Sequence, residues 1–267
     1  MILAQYNILG FYTSKAARQW DRMIAAGADN ETYRVFLETN KLPAIQLIVD
    51  ASLGATLQLV DINDQNVGSP INMTVDDGGH PSEDYKRLIY TGGTLTEMSD
   101  GDYYLKIVNG SDTYYSDVFG WTSNANYLGE LMKVSAVTSN IKLGRNYTLN
   151  LTGFTFECYL NADYMGLQPE FEEEVTQRDG VNQVLFGSLV PMREYDIYGC
   201  EHIFTFLLGL RVLEVNGTVT ITFNSTSYMA KDIMAEKSED HFNELMQIKL
   251  SFVNEGSVIN TLNEIND

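Results

Sequence analysis

Over most of its 267 residues the chain alternates short runs of period-two hydrophobicity with polar, glycine-marked breaks. Period two is the pattern of a strand with one buried face. Thr218-Val219-Thr220-Ile221-Thr222-Phe223 is one clean case, and Met246, Ile248, Leu250 and Phe252 trace another. Residues 1–42 depart from the pattern. There Ala16, Ala17, Trp20, Met23 and Ile24 fall on one helical face, Ser14 can cap the helix and Gly27 can end it. This segment reads as an N-terminal arm containing a short helix. Its stripe is a packing face, and Trp20, Met23 and Ile24 are candidate contacts to a neighbouring subunit.

Residues 43–122 read as a small β-sandwich. Pro43 opens a strand through Ile45, Leu47 and Val49, and a second strand runs Thr56–Val60. The turn-rich segment Asp61–Gly68 follows, and Gly78, Gly79, His80 and Pro81 mark another loop. Asn109-Gly110-Ser111-Asp112 lies between alternating runs, which is a hairpin signal because Asn-Gly tolerates positive φ. About 80 residues with strands every 8–12 positions suit an immunoglobulin-like β-sandwich.

Residues 123–267 read as a second, β-rich α+β domain. Tyr147, Leu149 and Leu151 alternate with polar residues, and the phase flips after Gly153 to Phe154, Phe156 and Cys158. Arg193–Cys200 reads as a strand, Glu201–Leu213 as a buried helix, and Asn216-Gly217 as the turn into the next strand. The fold class is therefore mainly β, in three parts: 1–42, 43–122 and 123–267.

Charge changes the functional picture more than composition does. The formal net charge is −19. Such a surface repels phosphate backbones, so no sequence-specific nucleic-acid binding is expected, and it disfavours anionic bilayers. No run approaches the ~18 apolar residues that would suggest a membrane span, and the first residues lack the basic start and apolar core of a secretory signal. Membrane insertion is therefore not expected. Two cysteines, Cys158 and Cys200, are too few for a four-thiolate metal site and read as buried free thiols.

Candidate chemistry is sparse. The three histidines, His80, His202 and His241, form no metal-binding pattern. There is no Gly-x-Ser-x-Gly elbow, phosphate loop or Gly-x-Gly-x-x-Gly fingerprint. Asp61–Gly68 evokes a calcium loop, but Asn66 stands where Gly belongs and Asn72 where a bidentate Glu belongs, so a polar turn is the better reading. Glu170, Glu172, Glu173 and Glu174 form the densest acidic cluster. It reads first as a solvated loop; in a ring it would instead line a lumen and keep passing DNA from adhering. Tyr103, Tyr104, Tyr114, Tyr115 and Trp121 read as core and interface residues, with a sugar-stacking platform as the alternative. No catalytic residue, cofactor or metal is expected.

An ordered set of phrases also resembles a known family. Gly10-Phe11-Tyr12, Tyr33 and Leu37 precede Asn40-Lys41-Leu42-Pro43-Ala44-Ile45-Gln46-Leu47; then come Asp102-Tyr103-Tyr104-Leu105-Lys106-Ile107 and Tyr114-Tyr115-Ser116-Asp117-Val118-Phe119. The second half adds Phe156-Glu157-Cys158-Tyr159-Leu160, the acidic stretch Pro169–Glu174, and strand–helix–strand from Arg193 to Phe223. Together these resemble virion structural proteins of tailed phages that infect Bacteroides-type bacteria, including crAss-like phages. The resemblance spans most of the chain and carries no catalytic motif. It implies a non-enzymatic ring, collar or baseplate-like protein of the portal and tail region. Such a protein is assembled in the host cytoplasm, forms a homo-oligomer and touches other virion proteins. The alternatives are a carbohydrate-binding or adhesion module and, on the acidic residues alone, a glycan hydrolase.

Overall fold

The computed structural model describes residues 7–25, 27, 30–38, 40–49, 54–76, 86–95, 99–138, 141–142, 148–149, 155–178, 181–215, 217–241, 245–254 and 259–261. The proposed loop at Gly78–Pro81, with His80, lies outside them, as do Tyr147, Leu151 and Phe154.

The N-terminal segment forms β1 (Phe11–Tyr12), a 3-10 turn (Lys15–Ala17), α1 (Gln19–Ala25), α2 (Asn30–Tyr33), β2 (Phe36–Glu38) and β3 (Lys41–Leu42). Next come β4 (Ile45–Val49), β5 (Thr56–Asp61), β6 (Asn66–Asn72), β7 (Thr74–Asp76), β8 (Lys86–Tyr90), β9 (Gly93–Thr94), β10 (Gly101–Asn109), β11 (Asp112–Ser116) and β12 (Phe119–Thr122). After α3 (Ala125–Glu130) the chain runs through β13 (Met132–Thr138), β14 (Ile141–Lys142), β15 (Thr148–Leu149), β16 (Thr155–Leu160), β17 (Ala162–Arg178) and β18 (Val181–Cys200). It ends with α4 (Glu201–Val215), β19 (Gly217–Phe223), β20 (Thr226–His241), β21 (Leu245–Asn254) and β22 (Ile259–Thr261). The protein is mainly β, as its pattern predicts.

One 15-stranded sheet dominates, ordered β1-β11-β10-β12-β2-β16-β13-β19-β20-β21-β18-β17. β5 and β6 branch from β10, and β22 joins β18. β4, β8 and β7 form a separate three-stranded sheet. Its Ile45, Leu47, Val49 and Leu88 enter the same core as Leu57, Leu59, Leu105 and Ile107 of the branch. That core continues into Val134, Phe156, Ile197, Leu210 and Leu250, so hydrogen bonding and packing both cross position 122.

Residues 1–42, read as an arm, supply strands to this sheet. β1 pairs with β11, and β2 lies between β12 in parallel and β16 in antiparallel register. The helix is also shorter than the sequence suggests. Ser14 makes no side-chain cap, and a 3-10 turn intervenes before α1 begins at Gln19. Gly27 does close the segment, with φ +71 and its N–H donated to Ile24 O at 3.0 Å.

Three small layers cover the sheet. Trp20 of α1 joins Val60, Tyr104 and Val118 on the second face of β5 and β10. Leu128 of α3 and the adjoining Leu131 join Phe36 and Tyr159. α4 buries Ile203, Phe206, Leu207, Leu210 and Leu213, spaced as a helix face requires. The Asn109–Asp112 hairpin forms as expected, with Gly110 at φ +63.

Gly120 sits opposite Phe36 where β12 meets β2. A Cβ there would lie 2.6 Å from Phe36 Cδ1. The Phe36 ring has no room to retreat, being edge-on to Tyr127 at 5.1 Å and under the Arg34 guanidinium at 5.0 Å. Gly120→Ala is expected to cost about 1–3 kcal/mol, as overpacking usually does. A lower urea midpoint with unchanged slope would register it; an unchanged midpoint would show that the strand junction yields.

Candidate interaction surfaces

The N-terminal stripe is largely spent inside its own subunit. Trp20 and Met23 are buried, whereas Ile24 is 52% exposed. Arg34 stacks over the Trp20 ring at 5.5 Å and also pairs with Asp102 and Glu31. Arg18 lies 4.7 Å from the Tyr104 ring centroid. Only Ile24 of the three stripe residues is therefore offered to solvent.

Two polar fastenings hold this segment down. Asn7 donates its amide to Gln46 O at 2.7 Å and accepts Gln46 N–H at 2.9 Å, and His202 meets Asn7 O at 2.9 Å. Asp117 accepts Gln19 N–H at 2.9 Å and the Tyr12 hydroxyl at 3.2 Å. Burial pushes the Asp117 carboxyl up to about 6 despite these donors, and burial pushes His202 down to about 4. Both cysteines are buried and free, and burial raises Cys200 to about 12, so neither is a ready thiolate.

The acidic cluster is not a loop. Glu170, Glu172, Glu173 and Glu174 lie in β17, opposite Val190, Ser188, Gly187 and Phe186 of β18. β17 is the terminal strand of the sheet, 17 residues long, or about 55 Å at strand rise. A long open edge invites pairing with other chains, and charged residues along it oppose indiscriminate pairing. Beyond Gly187, toward the start of β18, neither β21 nor β22 flanks it, so among the described residues Val181–Phe186 pairs with β17 alone. The result is a projecting two-stranded ribbon. Pro169 faces Pro191 within it. Neither missing N–H breaks a ladder, because β17 has an open outer side and Pro191 falls between the stretches paired to β21 and β22.

The ribbon's base carries an aromatic ladder. Tyr195 stacks on Phe252 at 5.7 Å, meets Phe223 at 5.2 Å and meets Tyr164 at 5.2 Å, while Arg193 caps Tyr228 at 4.1 Å. Its outer end is uncovered: Tyr164, Met165 and Leu167 are 44%, 53% and 51% exposed.

Sequence reasoning missed this ribbon although a signal was present. Asp179-Gly180 stands between Arg178 and Val181, which pair directly, and Asp-Gly is a favoured two-residue hairpin connection.

The other candidates resolve simply. Asp61 Oδ1 accepts the N–H groups of Asn63 at 2.9 Å and Gln65 at 2.7 Å, so the calcium-like segment is a turn held by its own carboxylate. Among the described residues no group of three or more His, Cys, Asp or Glu is placed to hold a metal, and no helix is long and apolar enough to cross a membrane. Tyr103, Tyr104, Tyr114 and Trp121 are buried, so with Tyr115 they form no sugar platform. Comparison of the chain with protein families, with curated proteins and with solved structures returned no match.

The two fastenings predict opposite pH responses. Asp117 ionises near 3.8 unfolded and about 6 folded, so its contribution is complete below 3.8 and lost as pH rises through 6. His202 titrates near 6.5 unfolded and about 4 folded, so its contribution is complete above 6.5 and lost as pH falls through 4. Each residue keeps some solvent access, which screens the effect. Relative to the parent, Asp117→Asn should gain about 1–3 kcal/mol of stability between pH 4 and 6.5, and His202→Asn should lose a similar amount. Urea midpoints across that range measure both; parallel curves for parent and variants would refute the assignment.

Proposed function

We propose that the chain is a non-enzymatic structural protein of a tailed-phage virion, forming a homo-oligomeric ring or layer in the portal, collar and tail region. The observation that carries this reading is the projecting β17–β18 ribbon with its open outer edge. A two-stranded ribbon is marginal alone in water and gains stability from a neighbour. At its base, where β21 also flanks β18, exposed Tyr164, Met165 and Leu167 extend the surface such a neighbour would cover. The sequence resemblance to Bacteroides-phage virion proteins supports the same role. In that assembly the contact is heterologous, ribbon to body, and a ring closes when the rotation per subunit divides the circle. Other virion proteins stack on its faces. The acidic run on the ribbon sets polarity, because a neighbour's matching surface must lack like charge.

Within the subunit, residues 43–122 are read as an immunoglobulin-like module. The supporting observation is that two β layers, β4-β8-β7 and β6-β5-β10, feed one core. Residues 1–42 and 123–267 are read as the other two parts of the chain, joined to this module through the shared sheet and core.

Light scattering with electron microscopy of the purified protein tests the assembly. Closed rings or stable multimers are expected. Replacing residues 174–186 by Asn-Gly removes the part of the ribbon flanked by no third strand. This variant is expected to fold with a β-type circular-dichroism spectrum and to run at the mass of one chain, below the parent's 30.0 kDa because eleven residues are removed on balance. A parent that stays monomeric at high concentration, or a shortened variant that still forms rings, would overturn the role given to the ribbon.

A further inference from the structure

A groove of about 480 Å³ lies on the far side of the sheet from the main core, between α3, β13, β16 and the β19–β20 turn. Two residues on its wall run against their local structural preference. Gly129 sits inside α3, where glycine is a poor choice, and an added Cβ would meet nothing within 4 Å. Neither packing nor φ demands a glycine there; what a side chain would do is stand in the groove. Ser225 shows the converse. With Asn224 it forms a two-residue hairpin turn in which both φ angles are positive, +47° and +62°. Glycine is preferred at that second position, yet a hydroxyl-bearing residue occupies it and lines the same groove. Asn40, at φ +68°, lines the groove from the opposite wall. A missing side chain where one would stabilise, and a side chain where none would be better, are what a site kept for a ligand requires.

The wall chemistry selects the class of ligand. Asn224 and Ser225 present an amide and a hydroxyl, while the Ser123 hydroxyl donates to Asp100 at 3.0 Å and the Thr222 hydroxyl meets Ser227 at 2.9 Å, each oxygen keeping a lone pair that can accept from a ligand. The charges are already paired: Lys133 contacts Glu157 at 2.9 Å, and Lys41 contacts Glu38 at 2.6 Å. An anionic ligand would therefore find no uncommitted cation here, and the chain's net charge of −19 would repel it. Only the edges of Tyr159 and Leu128 reach the groove, Lys133 lying 5.5 Å over the Tyr159 ring, so the groove offers a narrow apolar contact beside its polar groups. The polar groups come from side chains on three segments of the chain, around 40, 123 and 222–225, not from a strand edge, which fits a polyhydroxylated ring better than a peptide backbone.

We infer that this groove is a binding site for a short, uncharged saccharide, with Asn224 and Ser225 as hydrogen-bonding residues and Gly129 as the opening that admits the ring. It is separate from the ribbon, and it stands or falls independently of the assembly role. It also differs from the tyrosine–tryptophan platform that the sequence offered.

The test titrates the full chain with neutral hexasaccharides of glucose (both linkages), xylose, mannose and N-acetylglucosamine by calorimetry and saturation-transfer NMR. At least one is expected to bind at millimolar concentration or tighter. Gly129→Trp should abolish binding without lowering the melting temperature. The paired change Asn224→Gly and Ser225→Gly should weaken binding at least tenfold while raising the melting temperature, because it relieves the turn. Should Gly129→Trp fail to fold, the turn variant carries the test alone. Absence of binding across the panel, binding unaltered in the turn variant, or equal competition by a sulfated oligosaccharide would each overturn the inference.

Discussion

Three residues, Phe36 to Glu38, join the two halves of the main sheet. β2 pairs in parallel with β12 through Gly120, Trp121 and Thr122, and in antiparallel with β16 at the single pair Tyr159–Phe36. Everything on the β10 side reaches everything on the β18 side through this strand and the core beneath it. The junction is tight because Gly120 lets the Phe36 ring lie directly against the β12 backbone, while Arg34 and Tyr127 hold that ring from the other sides. Fastening the N-terminal segment with Asn7 and Asp117 then serves the same end. It fixes the residues that lead into β2.

The elements legible in the sequence were those set by neighbours along the chain. Thr218–Phe223, Met246–Phe252 and the Asn109–Asp112 hairpin announced themselves because their burial alternates and their turn chemistry is local. α4 was legible because its apolar face is long. What escaped was set by distant partners. β2 is too short to show a period, and its parallel partner gives no local sign. The sequence pattern shows β18 only from Arg193 onward, and Gly187 and Pro191 stand in the part that it does not show. They are tolerated because Pro191 falls in a gap between two flanking strands. The acidic run in β17 reads as a solvated loop because charge runs mostly are, and its pairing with β18 overrides that local sign.

The candidate surfaces were legible in part. Trp20 and Met23 pack on Val60, Tyr104, Val118 and the main core of the same chain, a use that their helical stripe in the sequence does not distinguish from contact with a neighbour. The groove gave no composition signal at all. Gly129 and Ser225 look unremarkable in sequence, and become informative only once φ and open space are known. Preference and position must both be known before a mismatch between them can be seen.

The position of β2 also dictates an order of events during synthesis. Phe36 leaves the ribosome early, yet its partners lie near positions 120 and 159. Until β12 and then β16 have followed it, the strand that must sit in the middle of the sheet lacks one or both of its partners. Folding is therefore dominated by contacts between distant parts of the chain, which makes it slow and leaves unpaired edges exposed meanwhile. A nascent chain of this design depends on protection from premature association until β12 and β16 are available to β2.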